Sequence, residues 1–144
     1  MKNPVRVDFV SSSAEETIEF ARNFARGLAP GTVIALEGQL GSGKTTFIKG
    51  IAAGLGLKNV DDVKSPTFVL MHIYSTQIPL YHFDLYRLEN EKEVETLDLD
   101  EYLTDSTAIS CVEWAEKAPR FIPTNAFHVR LAMAGQDKRR IRID

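Results

Sequence analysis

The chain has 144 residues, the size of one domain that can bury a sizeable core, and 44% of them are hydrophobic. There is no run of about 18 consecutive apolar residues and no apolar leader core, which argues against a membrane protein and predicts a single cytoplasmic domain over residues 1–144. The net charge of −3 argues against broad, nonspecific nucleic-acid binding. The single cysteine, Cys111, lies in an apolar run, which predicts a core residue and excludes an internal disulfide.

The first half of the chain alternates strands with helices. The stretch RVDFV predicts a strand, and Ser13 and Glu16 have the spacing of a capping box at the start of a helix. Apolar residues at helical spacing extend that helix over residues 14 to 28. The stretch TVIALEG predicts a buried strand that runs into a glycine-rich loop. The apolar stripe after the loop predicts a second helix that stops at Gly56.

Strands dominate the second half. The stretches TFVLMHIY (67–74) and PLYHFDLYRL (79–88) predict an antiparallel hairpin, and NEKEVETL predicts a short helix capped by Asn90. The apolar run TAISCVEW predicts a buried strand, and AFHVRLAM and KRRIRI predict two alternating strands that turn at Gly135. This order of elements predicts a three-layer α/β fold with a mixed, partly antiparallel central sheet flanked by helices.

Residues 38 to 45, GQLGSGKT, match the phosphate-binding pattern G-x-x-x-x-G-K-[ST]. The glycines let successive backbone N–H groups point into one anion-sized hollow, and the next helix directs its positive dipole end there. The pattern predicts that Lys44 reaches the β- and γ-phosphates of a nucleotide and that Thr45 binds Mg²⁺. A strand before the loop and a helix after it make the fold P-loop NTPase-like. The chain has no Asn-Lys-x-Asp segment for reading guanine, which favours ATP.

Two carboxylates are candidates for the rest of the site. Glu113 ends the predicted strand AISCVE, where a side chain of a parallel sheet lies beside bound phosphates, so it is expected near the metal. The alternative is a surface glutamate at a strand end. For Asp84, in YHFDLYRL, spacing alone favours a solvated aspartate on a half-exposed strand over a site residue. His82 shares its strand face and is expected to be a hydrogen-bonded structural residue rather than a metal ligand.

Three further features leave alternatives open. Thr67, in KSPTF, fits either a switch threonine that senses γ-phosphate or a capped turn that opens a strand. Trp114 is either a core or interface aromatic or a ring beside the ligand. The basic stretch DKRRIRID is typical of a terminal strand with its isoleucines inward and its arginines solvated. The other interpretation is a local contact with RNA, a partner protein or nucleotide phosphate.

The segments GQLGSGKTTF, KSPTF, YHFDLYRL and VEWAEK stand in an order that resembles the TsaE family, small P-loop ATPases of bacterial tRNA threonylcarbamoyladenosine biosynthesis. The resemblance runs from about residue 14 to the C-terminus and implies ATP and Mg²⁺ as cofactors. It raises Asp84 and Thr67 above what their spacing indicates. The site residues that it implies are Gly41, Ser42, Gly43, Lys44, Thr45, Thr46, Thr17 and Trp114 for the nucleotide, Thr45 and Glu113 for the metal, and Lys44, Asp84, Thr67 and Glu113 for catalysis.

The resemblance also implies partners. They are a TsaD-like transferase, which modifies the anticodon-adjacent adenosine of ANN-decoding tRNAs, and a TsaB-like companion; tRNA would be reached indirectly, through the complex. Hydrolysis is expected to be slow in the isolated protein, faster with partners, and used to reset or license that complex. Two alternatives remain open. One is a small-molecule P-loop kinase, and the other is a binding module in which ATP orders a docking surface without being hydrolysed.

Overall fold

The computed structural model describes residues 6–67 and 69–144. Phe68, which falls within the strand predicted over 67–74, lies outside the described residues. The helices are α1 (Ala14–Arg26), α2 (Lys44–Gly54), α3 (Glu91–Val94) and α4 (Leu99–Leu103). The strands are β1 (Val7–Ser11), β2 (Val33–Glu37), β3 (Met71–Tyr74), β4 (Leu80–Asp84), β5 (Ile109–Glu113), β6 (Phe127–Met133) and β7 (Arg139–Ile143). None of the helices in the described part is both long and apolar enough to span a bilayer.

The described strands form one sheet in the order β1-β7-β6-β2-β5-β4-β3. The inner strands β6, β2, β5 and β4 are parallel to one another. At the edges, the pairs β1–β7, β6–β7 and β3–β4 are antiparallel. The prediction of a mixed, partly antiparallel sheet in an α/β fold is therefore confirmed.

The central strand β2 is buried on both faces, which explains its continuous apolar run. Ile34 and Leu36 pack in a core cluster that includes residues of α1 and α2. Val33 and Ala35 pack on the opposite face, in a cluster that includes residues of α3 and α4. Helices thus cover both faces of the sheet. Cys111 lies fully buried in the first cluster, as expected, and burial raises the pKa of its thiol.

Helix α1 begins where the sequence predicts. The Ser13 side chain accepts the backbone N–H of Glu16 at 3.0 Å, so this half of the expected capping box is present. The helix ends at Arg26, two residues earlier than predicted, because Gly27 caps it with an N–H bonded to the carbonyls of the last turn. The predicted cap of α3 is confirmed as well, since Asn90 accepts a backbone N–H of that helix.

The strand predicted over 67–74 begins only at Met71. The N–H groups of Val69 and Leu70 both donate to the carbonyl of Pro66, at 3.1 and 2.5 Å, and close a turn in place of the first strand residues. Leu70 has a φ of 71°, which a strand does not contain. The sequence pattern did not predict this turn, because a run of apolar residues is also typical of a strand.

The strand predicted over 79–88 is also shorter, since it ends at Asp84. The Oδ1 atom of Asp84 accepts the backbone N–H of Tyr86 at 2.9 Å. An aspartate that binds the main chain two residues ahead favours a turn over a continued strand. The turn leaves Asp84 at the carboxyl end of β4.

The terminal strand β7 has the predicted alternation. Ile141 and Ile143 are fully buried, whereas Arg140 is exposed and pairs with Asp8 across β1 at 2.7 Å. This pair lowers the pKa of the Asp8 carboxyl and raises that of Arg140. The interpretation of DKRRIRID as a terminal strand is confirmed for these residues, and Arg139, at the start of β7, is the exception described below.

Helices α1 and α2 touch along a face of small residues. A Cβ atom added at Gly50 would overlap the carbonyl oxygen of Ile18 and would lie only 2.5 Å from the Cβ of Ala21. Gly54 meets α1 in the same way, at the Cβ of Ala25. Glycine therefore lets the two helix backbones approach closely, and α2 leads directly out of the glycine loop.

We expect Gly50→Ala to lower the free energy of unfolding by about 1–3 kcal/mol, because the added methyl group forces the helices apart. A loss of stability would be informative, because replacing Gly by Ala inside an exposed helix normally raises the free energy of unfolding by about 1 kcal/mol. Gly27→Ala is the control: its φ is −93° and the nearest atom to the added Cβ is the Phe24 carbonyl at 3.8 Å. Urea unfolding of both variants tests this, and a Gly50→Ala variant as stable as the wild type would contradict the contact.

Candidate active site

Three parallel neighbours, β2, β5 and β4, end at the same edge of the sheet. Strand β2 continues into the loop 38–43, β5 ends at Glu113 and β4 ends at Asp84. A cavity of about 710 Å³ opens at this edge and is lined by residues of the loop, of both strand ends and of the α1 N-terminus. This is the edge where α/β sheets place their ligands.

The loop 38–43 has the backbone that its glycines permit. Gly43, directly before α2, has a φ of 102°, in the left-handed region that favours glycine. At Gly38 an added Cβ would meet the carbonyl of Leu131 at 2.5 Å and the hydroxyl of Ser42 at still shorter range, so only glycine fits there. The first N–H groups of α2 lie at the end of this loop, which makes an anion-binding hollow.

Lys44 is the first residue of α2 and is only 5% exposed. Its Nζ donates to the carbonyl of Gly38 and, at 3.0 Å, to that of Gln39, and it lies 4.1 Å from the centroid of the Trp114 ring. Burial lowers the pKa of Lys44, and the negative charge of Glu113 partly opposes that shift. The ammonium group is therefore held at the loop by main-chain carbonyls and an aromatic face.

Thr45 and Glu113 are in direct contact. The Thr45 hydroxyl lies 3.0 and 3.2 Å from the two carboxylate oxygens of Glu113, which is 3% exposed. The Nε2 atom of His82 lies 2.6 Å from Oε2 of the same carboxylate. A hydroxyl and a carboxylate this close can bind one hard cation together, either directly or through water.

These two donors are oxygen atoms, the ligand type that suits Mg²⁺. In the described part of the chain, no three His, Cys, Asp or Glu side chains form a group that could hold a metal ion. Mg²⁺ does not need such a cage, because it keeps several waters and is bound by one or two protein oxygens together with substrate phosphates. Thr45 and Glu113, beside the glycine loop, match that pattern.

Asp84 is buried, at 2% exposure, and is not the solvated aspartate that its spacing favoured. Its Oδ2 accepts the hydroxyl of Thr67 at 2.8 Å and also that of Ser65, while Oδ1 accepts the N–H of Tyr86. The turn after Pro66 brings the Thr67 hydroxyl to this position. The carboxylate is thus satisfied by hydrogen bonds, as a buried charge requires, and it fixes the segment 65–67 at the cavity.

Trp114 follows Glu113 in the left-handed region, with a φ of 59°, which is rare for a bulky residue. Its ring packs on that of Tyr86, with centroids 5.1 Å apart. Lys117 Nζ lies 5.8 Å from the Trp114 centroid and donates to the carbonyls of Tyr86 and Leu88. The tryptophan therefore lines the cavity between two lysines and also packs, partly buried, against the core cluster that includes residues of α3 and α4.

The cavity extends from the loop to the start of α1. Thr17 lines this end and is 1% exposed, with its hydroxyl 2.6 Å from that of Ser11. On the other side, Arg139 lines the cavity and donates its Nε–H to the carbonyl of Gly41 at 3.1 Å. The lining thus combines small hydroxyl residues with a guanidinium group.

The structure brings almost all of the sequence-predicted residues to this cavity. The residues predicted from the sequence that line it are Gly41, Gly43, Lys44, Thr45, Thr46, Thr17, Thr67, Asp84, Glu113 and Trp114. Ser42 is different, because it is buried and its hydroxyl lies behind the loop beside Gly38, with no hydrogen-bond partner among the described residues. Only the backbone of Ser42 can therefore serve a ligand. The chemical roles assigned to all these residues remain predictions.

Sequence reasoning missed Ser65, Tyr86 and Arg139 as cavity residues. Ser65 stands in the quoted motif KSPTF, so its position two residues before Thr67 was an available signal. For Arg139 the signal was the basic stretch, for which a phosphate contact was the minor alternative. No local pattern marks Tyr86, which is brought to the cavity by the turn after Asp84.

Comparisons with known proteins agree on one family. Residues 11–141 match the family model described as threonylcarbamoyl adenosine biosynthesis protein TsaE. A tRNA threonylcarbamoyladenosine biosynthesis protein TsaE from Bacillus subtilis is 43% identical over 128 residues, which are 88% of this chain and 78% of that protein. The protein of the same name from Treponema pallidum is 33% identical over 93% of this chain and 97% of its own.

A solved structure extends the likeness to the fold. The crystal structure of Bacillus subtilis YdiB superposes with a TM-score of 0.81 at 34% sequence identity. The match covers 99% of this chain and 87% of that one. With the family model matched over residues 11–141 and relatives above 30% identity over most of the chain, this protein belongs to the TsaE family.

Proposed function

We propose that this protein is a Mg²⁺-dependent ATPase subunit of tRNA threonylcarbamoyladenosine biosynthesis. The role in that biosynthesis follows from its membership of the TsaE family. The observation that carries the hydrolytic part is the meeting of Lys44, the Thr45–Glu113 pair and the Thr67–Asp84 pair at one cavity. Phosphoryl transfer to water needs phosphate-binding, metal-binding and water-orienting groups, and these residues supply all three.

In the proposed mechanism the loop N–H groups and the positive end of α2 bind the β- and γ-phosphates. Lys44 exchanges its main-chain carbonyl partners for phosphate oxygens, and its charge offsets the charge that develops as the bond to the leaving oxygen breaks. Held by Thr45 and Glu113, Mg²⁺ would supply a further positive charge to those oxygens. ATP is the proposed nucleotide.

Thr67 and Asp84 are proposed to orient the attacking water. The Thr67 hydroxyl donates to Asp84 and its oxygen lies 2.8 Å from that of Ser65, which leaves one lone pair to accept a hydrogen bond from water. The water oxygen then forms the new bond to the γ-phosphorus, the bond to the β-phosphate oxygen breaks, and the water protons pass to phosphate or solvent. Asp84 acts either on the water itself or by fixing Thr67.

We assign the part of the cavity that lies beside the start of α1 to the base and ribose. Thr17 lines this part of the cavity beside the α1 N-terminus. It matches the threonine that the family resemblance places near the base. Arg139 also lines the cavity, beside Gly41, where its guanidinium can contact a phosphate oxygen or stack on a base. Trp114 lines the cavity near Lys44 and is proposed to contact the nucleotide.

A small P-loop ATPase gains rate when a partner orders its switch segment or supplies a charged residue, an effect worth about three to five orders of magnitude in related systems. We propose that TsaD-like and TsaB-like proteins do this here, that tRNA is reached indirectly through their complex, and that the complex works in the cytoplasm. The protein alone is then expected to hydrolyse ATP slowly.

Phosphate release from ATP by the purified protein, alone and with the TsaD-like and TsaB-like proteins, tests this function. We expect the partners to raise the rate by at least about tenfold. Equal rates with and without partners would contradict the proposed coupling. Release at the level of buffer with every partner present would favour a non-hydrolysing binding module. ADP production that depends on a small-molecule acceptor would favour a kinase.

A further inference from the structure

His82 is the one residue of β4 whose side chain bonds to the proposed metal carboxylate. It is fully buried, and its Nε2 atom lies 2.6 Å from Oε2 of Glu113. The other ring nitrogen, Nδ1, has no hydrogen-bond partner in the described structure. The ring packs near Tyr74 from β3, with centroids 6.3 Å apart, and pairs across the strands with Cys111. On its other side His82 pairs with His72 of β3.

Packing alone does not explain a histidine at this position. A buried nitrogen without a partner costs free energy, and an apolar side chain of similar size would avoid that cost. The compensating contact is the hydrogen bond to Glu113. Because an ionised carboxylate only accepts hydrogen bonds, Nε2 must carry the proton and donate it.

The bond fixes the direction of the Glu113 carboxylate. Thr45 approaches both carboxylate oxygens from the α2 N-terminus, while His82 binds only Oε2, from the neighbouring strand. Two donors from different elements leave the carboxylate little freedom to rotate. A fixed carboxylate presents its remaining lone pairs in one direction. Because Thr45 stands at the start of α2, these lone pairs lie beside the glycine loop.

We propose that His82 is a positioning residue, which donates its Nε2 proton to Glu113 and holds that carboxylate in the orientation that binds Mg²⁺ together with Thr45. The inference rests on the proposed function, because it concerns the same metal. His82 does not touch the nucleotide or the metal itself. It acts through Glu113, as an outer hydrogen-bond partner of a metal ligand.

The test compares His82→Leu, which removes the donor, with His82→Gln, whose amide can donate from nearly the same place as Nε2. ADP affinity is measured by calorimetry in EDTA and in Mg²⁺. We expect His82→Leu to bind ADP normally in EDTA and to lose at least about tenfold of the affinity gained with Mg²⁺. His82→Gln should restore most of that gain. His72→Leu, the same change at the residue opposite His82 on β3, is the control and should behave as the wild type.

A purely structural role would weaken binding equally in EDTA and Mg²⁺ and would not be rescued by glutamine, and that result overturns the inference. A His82→Leu variant with the full Mg²⁺ gain overturns it as well, while leaving the proposed function intact. A wild-type protein that gains nothing from Mg²⁺ contradicts the proposed function itself, and the inference with it. One measurement needs no variant: the ring ¹⁵N spectrum of the wild type should have the His82 proton on Nε2, and a ring protonated on Nδ1 alone would overturn the proposal.

Discussion

Replacing Glu113 by glutamine should lower the partner-stimulated rate of ATP hydrolysis by at least about 100-fold, because a metal ion contributes several kcal/mol of charge stabilisation in the transition state. Glutamine keeps the size of the side chain and loses the negative charge. Its amide can still accept a hydrogen bond from His82 and bond to the Thr45 hydroxyl, which can turn. We therefore expect the fold to survive and the affinity for Mg²⁺ to fall.

The steady-state rate at saturating ATP and a Mg²⁺ titration check this prediction. The rate should recover partly at high Mg²⁺ if the defect is weaker metal binding. Glu116→Gln is the matched control, since Glu116 also carries a negative charge that acts on Lys44 but is exposed and outside the cavity lining. A Glu113→Gln variant as active as Glu116→Gln would exclude Glu113 from the metal site.

The features that the sequence predicted best depend on local patterns. The glycine loop and its flanking strand and helix follow from spacing within about ten residues of Gly43, where backbone freedom and helix geometry decide the conformation. The position of Glu113 followed from one further rule, that parallel strands end at a common edge of the sheet. The structure places Glu113 at that edge, beside Thr45.

Asp84 shows where local patterns fail. From spacing it is a half-exposed strand residue, and only the family resemblance pointed to the site. Its burial depends on the hydroxyls of Ser65 and Thr67, which lie 19 and 17 residues earlier and reach it through a turn that the apolar pattern concealed. Contacts between residues so far apart in the sequence cannot be predicted from the pattern of a short segment.

Arg139 is an even longer-range case, because its partner Gly41 lies 98 residues earlier. Within KRRIRI, alternation correctly predicts which residues face the core. It does not predict that the first residue of the strand faces the cavity, which follows from the pairing of β7 with β6 and of β6 with β2. His82 is hydrogen-bonded, as the sequence indicated, but its partner Glu113 was not predicted, because that contact comes from the register of β4 against β5.

Replacing Lys44 by methionine should lower the rate of ATP hydrolysis by about 10²–10³-fold, the usual loss when one group that stabilises transition-state charge is removed. Methionine retains an unbranched side chain that can pack against Trp114, so the change removes chiefly the ammonium group. Lys49→Met is the matched control on the same helix. Lys49 lies at the surface, 3.9 Å from Asp61, and its loss should leave hydrolysis unchanged.

The Lys44→Met variant should lose hydrolytic activity without losing stability. The ordinary pKa of a lysine is 10.5, and burial in the folded protein lowers the pKa of Lys44 below that value. The folded state therefore holds the proton less firmly than the unfolded chain does. At neutral pH both states are protonated and the full penalty acts on the wild type, whereas methionine does not carry it. Thermal unfolding at pH 7 should therefore find the variant at least as stable as the wild type.

That difference should shrink as the pH rises through the folded pKa towards 10.5, where the wild-type lysine loses its proton and the penalty disappears. A variant that is inactive and clearly less stable at pH 7 would mean that the ammonium group supports the loop through Gly38 and Gln39 more than its burial costs. Lower activity with equal or higher stability would instead identify Lys44 as a charge kept buried for phosphate at the expense of the fold, since its contacts with Gly38 and Gln39 would then not offset the cost of burying the ammonium group.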